Sequence, residues 1–176
     1  MFEFFKILIR FFNDNEIPYM LSGSMAMSTY TVPRFTRDFD FIVHLKPSDS
    51  PLLADFFKEG YYCDEESIKE AIRQEGMFNI IDHKSNYKAD FVILKNNPYR
   101  RTEFSRRRSV EFMDMKIFIV SPEDLLISKL IWIQDIYSPV QAEDIHSLSV
   151  LDGLDWNYIH EWAAILNLNT FGLLKK

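Results

Sequence analysis

Two aspartates, Asp38 and Asp40, open an apolar run that continues through Phe41-Ile42-Val43. Being two apart, they point to one face if the run is a strand. Adjacent carboxylates repel, and a hard cation such as Mg²⁺ between them relieves the repulsion. Upstream stands Gly23-Ser24, with thirteen residues between Ser24 and Asp38. Gly23 has no Cβ, so backbone there can approach a phosphate closely. Ser24 offers a hydroxyl, and a helix starting there offers free N–H groups. A phosphate cradle followed by a carboxylate clamp is what phosphoryl or nucleotidyl transfer needs. With two Mg²⁺ ions, one activates an acceptor hydroxyl and the other neutralises triphosphate charge. Arg34, Thr36 and Arg37 precede the doublet. A cation there keeps the carboxylates ionised and can meet substrate phosphate. Each residue also has an ordinary reading: acids at a strand end, Ser24 as a plain N-cap, arginines in a solvated loop.

On these residues the chain resembles the nucleotidyltransferase superfamily, with its DNA polymerase beta-like fold. That superfamily carries Gly-Gly or Gly-Ser and then, about a dozen residues later, Asp-x-Asp or Asp-x-Glu. The finer pattern Arg34-x-Thr36-x-Asp38-Phe39-Asp40 resembles the subgroup of abortive-infection type toxins and their uncharacterised relatives. The resemblance implies a third carboxylate on a neighbouring strand. Asp90, in Lys88-Ala89-Asp90-Phe91-Val92-Ile93-Leu94, fits best, because an acid entering so apolar a run is costly unless stabilised. Its implied role is metal ligand, general base, or both; Asp82 is the competitor. Toxin-type relatives also have a lysine on a helix beginning Pro-Glu-Asp-Leu and a later Asp-Ile pair. Pro122-Glu123-Asp124-Leu125, Lys129 and Asp144-Ile145 match, which implies that Lys129 contacts nucleotide phosphates with Asp144 in support. The ordinary reading of Lys129 and Asp144 is a snorkelling lysine and a helix-surface acid.

Positioning these groups needs strands and helices in a definite order. Phe2, Phe5, Leu8, Ile9 and Phe12 recur at helical spacing and predict a helix over residues 2–13. Strands are expected over 17–21, 38–45, 78–82 and 88–94, with a short helix over 24–30. Further helices are expected from Ser50-Pro51 to about 58, over 67–73 and over 99–107. Val110 to Val120 reads as a hairpin around Met113-Asp114-Met115. Ser121-Pro122-Glu123-Asp124 is a helix start, with Ser as N-cap, proline in the first turn and acids near the N-terminus. Residues 139–151 and 155–166 predict two more helices. The fold class is α/β (α+β): a small mixed sheet flanked by helices, of the nucleotidyltransferase type. A core over 1–120 and a helical C-terminal part over 121–176 are expected to form one structural unit.

Of the 176 residues, 47% are hydrophobic and 16 are phenylalanine, enough for a substantial core. A net charge of −6 argues against a generally basic nucleic-acid binder. Arg100, Arg101, Arg106, Arg107 and Arg108 form one basic cluster, open to an RNA or nucleotide-tail contact, a solvated helix face or an antitoxin interface. The single cysteine, Cys63, excludes an internal disulfide and points to a reducing, cytoplasmic setting. No run is apolar enough to span a membrane. Trp132, Trp156 and Trp162 fall in helical patterns and are expected in the core. The resulting expectation is a Mg²⁺-dependent transfer of a nucleoside monophosphate from an NTP to an acceptor hydroxyl. By resemblance, RNA or protein acceptors are favoured over a drug, and a toxin role would imply an antitoxin partner. The rival reading is a catalytically silent member of the same fold acting as an interaction module; a third is an RNA-binding module built on the arginines.

Overall fold

A computed structural model describes residues 2–33 and 36–174 of the chain. Arg34, placed before the acidic doublet by the sequence reading, lies outside the described residues. The chain begins with helix α1, Phe2–Asp14, which buries Phe4, Phe5, Leu8, Ile9, Phe11 and Phe12 along one stripe. It ends where the Asn15 side-chain amide donates to the Phe11 carbonyl and Glu16 turns to positive φ. Then follow β1 (Tyr19–Ser22), α2 (Gly23–Met27), β2 (Asp38–Val43), α3 (Asp49–Phe56), β3 (Tyr61–Tyr62) and α4 (Glu65–Gln74). The remainder is β4 (Met77–Asp82), β5 (Lys88–Ile93), α5 (Pro98–Ser105), β6 (Arg108–Phe112), β7 (Met115–Ile119), α6 (Pro122–Asp135), α7 (Pro139–Ser149) and α8 (Trp156–Ile165).

Seven strands form one mixed sheet in the order β3-β4-β5-β2-β1-β7-β6. β2 runs parallel to β5, and β1 parallel to β7; the other pairs are antiparallel. β2 alternates, with Phe39, Phe41 and Val43 buried and Asp38, Asp40 and Ile42 on the opposite face. The buried side packs on α1. Phe5 lies 5.2 Å from Phe39, Phe12 lies 5.7 Å from both Phe41 and Phe91, and Phe41 stacks on Phe91 at 5.5 Å. The phenylalanine-rich composition thus becomes one aromatic layer behind the sheet, and the face that carries Asp38 and Asp40 is left for other work.

The predicted hairpin is present, turning through Met113-Asp114, both at positive φ. Three details differ from expectation. β3 has two residues, too few to show a period. α2 covers five residues instead of the predicted stretch to Tyr30. α5 ends at Ser105, so Arg108 belongs to β6 and the arginine cluster does not share one helix.

Four of those arginines meet partners within the chain. Arg106 donates to Asp124 at 3.0 Å and lies over the Tyr158 ring at 3.9 Å. Arg108 reaches Glu123 at 3.4 Å, and Arg107 lies over the Phe104 ring at 4.4 Å. Arg100 donates to Glu103 at 2.7 Å and to the Ser128 hydroxyl at 2.6 Å. The acids opposite them are buried and cannot reach water, so they recruit the cations instead. Arg100, Arg106 and Arg108 thus tie α5 and β6 to α6, and Arg106 also meets α8, while Arg107 stacks on α5 and β7; the Arg108 side chain keeps half of its surface in solvent. Arg101 remains exposed.

Asp124 is the centre of the clamp. It is fully buried and takes hydrogen bonds from Ser121, Arg106 and the Tyr158 hydroxyl, the last at 2.6 Å. Asp124→Ala would take the acceptor from the Ser121 and Tyr158 hydroxyls and leave Arg106 with only the 3.7 Å contact to Glu123 and the Tyr158 ring. It is expected to lower unfolding free energy by about 3–5 kcal/mol in urea titration; a loss below about 1 kcal/mol would show that the clamp is dispensable.

Candidate active site

Strand pairing assembles the acids. In the β1–β2–β5 register, Ser22 is opposite Asp40, and Asp40 is opposite Asp90. Asp38 is opposite Lys88. Asp38, Asp40, Lys88 and Asp90 therefore share one face of two adjacent parallel strands. Asp82 is not in this group. It accepts from the Lys84 N–H at 3.1 Å and from the Ser85 hydroxyl, which shapes the β4–β5 turn.

Gly23 opens α2 at φ +60 and lies against Asp40. A Cβ at position 23 would stand 2.6 Å from Asp40 Cγ and 2.8 Å from its Cβ, inside contact distance. The glycine is thus required twice, by backbone conformation and by the carboxylate that fills the space. Ser22, rather than Ser24, is the N-cap, and its side chain makes no capping hydrogen bond. Ser24 lies within the first turn. With only five residues, α2 supplies little macrodipole, so any anion affinity here comes from local N–H groups and hydroxyls.

A cavity of about 530 Å³ opens between this sheet face and helices α6 and α7. One end is polar, with Ser22, Gly23, Ser24, Asp40, Lys129 and Asp144. Its wall continues over Ile42, Val92 and Leu125 to Trp132 and Val140, with Lys95 and Arg100 also on the lining. The volume is within the range of small-molecule sites. Lys129 Nζ is 2.7 Å from Asp144 Oδ2, and both are largely buried. The predicted pair thus meets across α6 and α7. Arg37 is exposed and is not part of the wall; its carbonyl accepts from the Lys88 N–H at 3.4 Å. Trp132, expected in the core, is 57% exposed and lines the cavity instead. Leu130 and Ile133 carry α6 into the core and leave Trp132 on the cavity side.

The electrostatics are tense. Burial, then repulsion from Asp90 and from Asp38, raises the Asp40 pKa above its ordinary 3.8, while Lys129 and Lys88 oppose the rise. Asp90 Oδ2 pairs with Lys88 Nζ at 2.7 Å, and Asp90 Oδ1 is buried with no hydrogen-bond partner. Among the described residues, no three His, Cys, Asp or Glu side chains converge closely enough to ligate one metal ion. Three observations still fit a hard divalent cation: an all-carboxylate donor set, an orphaned buried oxygen, and an ammonium standing in as the cation of the cluster. Lys88 was not anticipated from sequence, although its spacing of two from Asp90 was the available signal.

A family model described as nucleotidyltransferase of unknown function (DUF6036) matches residues 2–169. The chain belongs to this family. As a DUF6036 nucleotidyltransferase it is an enzyme of the class anticipated from the Gly-Ser and Asp-x-Asp pattern. Its structure resembles that of the lincosamide antibiotic adenylyltransferase LnuA, solved with lincomycin bound, with a TM-score of 0.55 and 16% identity over 84% of this chain and 95% of that one. It also resembles the antibiotic-resistance factor ANT(2'')-Ia, with a TM-score of 0.57 and 11% identity over 89% and 85% of the two chains. An antigenic nucleotidyltransferase-like protein from Paracoccidioides brasiliensis gives a TM-score of 0.52 and 15% identity over 91% and 84%. At these identities the likeness is one of fold. No curated protein matches the DUF6036 chain at a significant level. Among its described residues no helix is long and apolar enough to cross a membrane.

Two changes test the geometry. Gly23→Ala must strain both φ and the Asp40 carboxylate, and is expected to lower the melting temperature by several degrees and abolish transfer. Asp40→Asn should do the opposite to stability. A raised carboxyl pKa means that the folded state binds the proton more tightly than the unfolded state. Stability is therefore lost as pH rises from about 3.8 through the folded pKa. Metal-free Asp40→Asn is expected to unfold at higher urea than the parent at pH 7, with the gain shrinking as pH falls through the folded pKa towards 3.8. An equal or lower midpoint at pH 7 would show that Asp40 is not under electrostatic stress.

Proposed function

We propose that this nucleotidyltransferase moves a nucleoside monophosphate from an NTP to an acceptor hydroxyl, with Asp38, Asp40 and Asp90 at the reacting centre. The observation that carries the reading is the register Asp40 opposite Asp90, with Gly23 packed on Asp40 and Lys129 across the cavity. The acceptor oxygen attacks the α-phosphorus as the bond from that phosphorus to the bridging oxygen breaks, and pyrophosphate departs. Asp90 would ligate the metal or take the hydroxyl proton; of the three acids, Asp40 is the one on the cavity lining among the described residues, with Asp90 beside it on β5. Gly23 and Ser24 supply N–H and hydroxyl contacts to the phosphates, and Lys129, steadied by Asp144, supplies positive charge. Asp38, Asp40 and Asp90 would hold Mg²⁺, which supplies charge neutralisation at the phosphates. Arg37 stands outside the cavity and would meet only the outer part of a bound substrate.

A small hydroxyl compound is the favoured acceptor. Arg100, Arg106 and Arg108 are paired with acids and Arg107 is stacked on Phe104, which weakens the basic surface an RNA chain would use. The cavity beyond the acids is lined by Ile42, Val92, Leu125, Trp132 and Val140, which suits an apolar or aromatic group. The solved adenylyltransferases of like fold include ones named for antibiotics, which is consistent with that choice. A cytoplasmic location fits an NTP-dependent enzyme with one unpaired cysteine. A toxin role and an antitoxin partner rest on the resemblance of short motifs, with no structural support beyond the Lys129–Asp144 pair.

The experiment is incubation with each α-labelled NTP and Mg²⁺ plus cell extract separated into RNA, protein and small-molecule fractions. Label is expected in the small-molecule fraction and is expected to vanish in Asp38→Asn/Asp40→Asn. Lys129→Met is expected to lower kcat/KM for the NTP by about a hundredfold. Transfer that survives the double change would place the chemistry elsewhere. NTP binding without transfer to any fraction would favour a silent module.

A further inference from the structure

Lys88 is the residue of the acidic cluster that neither the transfer step nor the fold requires. It projects from β5 on the same face as Asp90, directly opposite Asp38. Its ammonium is 2.7 Å from Asp90 Oδ2. Strand register thus sets it beside the carboxylates of Asp38, Asp40 and Asp90. The two partners differ in access to water: the Lys88 side chain is 36% exposed and that of Asp90 14%. Lysine can swing out on its four-carbon stem, whereas aspartate is fixed to the strand.

We propose that Lys88 is a built-in place-holder for the divalent cation: it balances the carboxylates in the metal-free enzyme and is displaced from Asp90 when the cation binds. This rests on the reading of Asp38, Asp40 and Asp90 as the metal-binding set. A divalent cation held by a carboxylate oxygen and an ammonium at hydrogen-bond distance from the same oxygen would repel strongly. One must leave, and Lys88 is the one with an open path. Its departure would free Asp90 Oδ2 while Oδ1 already lacks a partner, so the carboxylate becomes available as a whole. Without Lys88, three facing carboxylates would stand unbalanced between turnovers. An ordinary surface ion pair at this position would contribute little and would be indifferent to metal. The place-holder makes metal affinity depend on a residue that is not itself a ligand.

The test is Mn²⁺ titration of the whole chain by calorimetry, without NTP. Lys88→Met, which keeps the stem and removes the charge, is expected to bind Mn²⁺ about tenfold more tightly than the parent. Lys88→Arg is expected to stay within about twofold of the parent, because charge is retained. A second measurement uses the unmodified protein: acylation of lysines by a water-soluble reagent, read peptide by peptide by mass spectrometry. Released Lys88 is expected to react several-fold faster with Mg²⁺ present. Parent binding with no tightening in Lys88→Met, or unchanged Lys88 acylation with saturating Mg²⁺, overturns the place-holder and leaves the site reading intact. Absence of Mn²⁺ binding to the parent and to both variants, with and without NTP, overturns both. Should Lys88→Met fail to fold, the acylation result decides alone.

Discussion

The pairing of β2 with β5 in parallel register is the constraint on which the remaining architecture depends. Strand alternation has a period of two, so a slip by one residue would send Asp38 and Asp40 into the aromatic layer and Phe39 and Phe41 into the cavity. The register is held from behind: Phe39, Phe41 and Phe91 pack against the α1 rings, and burial of each such side chain contributes about 1.5–3 kcal/mol. Against that stands the repulsion of facing carboxylates, on the order of 3 kcal/mol at about 5 Å in a medium of effective dielectric 20. Several rings outweigh one repulsive contact. The phenylalanine-rich helix at the start of the chain is therefore what allows three acids to be held on one sheet face.

The second constraint acts through α6. Its N-terminus is anchored by Ser121 and Asp124 to Arg106 and Tyr158, and its middle carries Ser128 to Arg100 and Glu103. Lys129 follows immediately and faces the cavity. The arginines that looked like a nucleic-acid handle thus serve the site indirectly, by fixing the helix that carries the lysine. Burial raises the Glu103 carboxyl pKa despite the neighbouring Arg100. The clamp is accordingly a costly arrangement, retained where it sets position more than where it adds stability.

Much of this was legible in the sequence, for identifiable reasons. The long strands and helices carry strong periodicity, and Ser121-Pro122 and Asn97-Pro98 mark helix starts by capping chemistry that acts locally. Gly23, Asp38 and Asp40 were legible because their spacing is itself the signal. Asp90 was preferred to Asp82 on the cost of an acid in an apolar run, and it is Asp90 that the register sets against Asp40. What escaped depends on tertiary partners. Trp132 sits in a helical apolar pattern, and only the placement of α7 decides that its side of α6 borders a cavity. The internal use of the arginines required acids from α6, distant in sequence. The facing of Lys88 and Asp38 required knowing that β5 lies beside β2. The length of α2 was misjudged because Ser28, Thr29 and Tyr30 continue as hydrogen-bonded turns after the helix proper ends.

The balance of charge across the cluster links these constraints to turnover. Asp38, Asp40 and Asp90 face Lys88 at one side and Lys129 at the other, and Lys129 is already committed to Asp144. The acids are thus in excess, and their repulsion adds to burial in raising the pKa of Asp40. A nucleotide alone would add negative charge to an already negative centre and bind poorly. A divalent cation alone would relieve the acids, and the two together would relieve both. Electrostatics of this sign would make metal and nucleotide binding mutually reinforcing, since each would remove the penalty that opposes the other. The aromatic layer enters this balance too: a backbone free to relax would let the acids move apart and weaken the attraction that a cation would meet there.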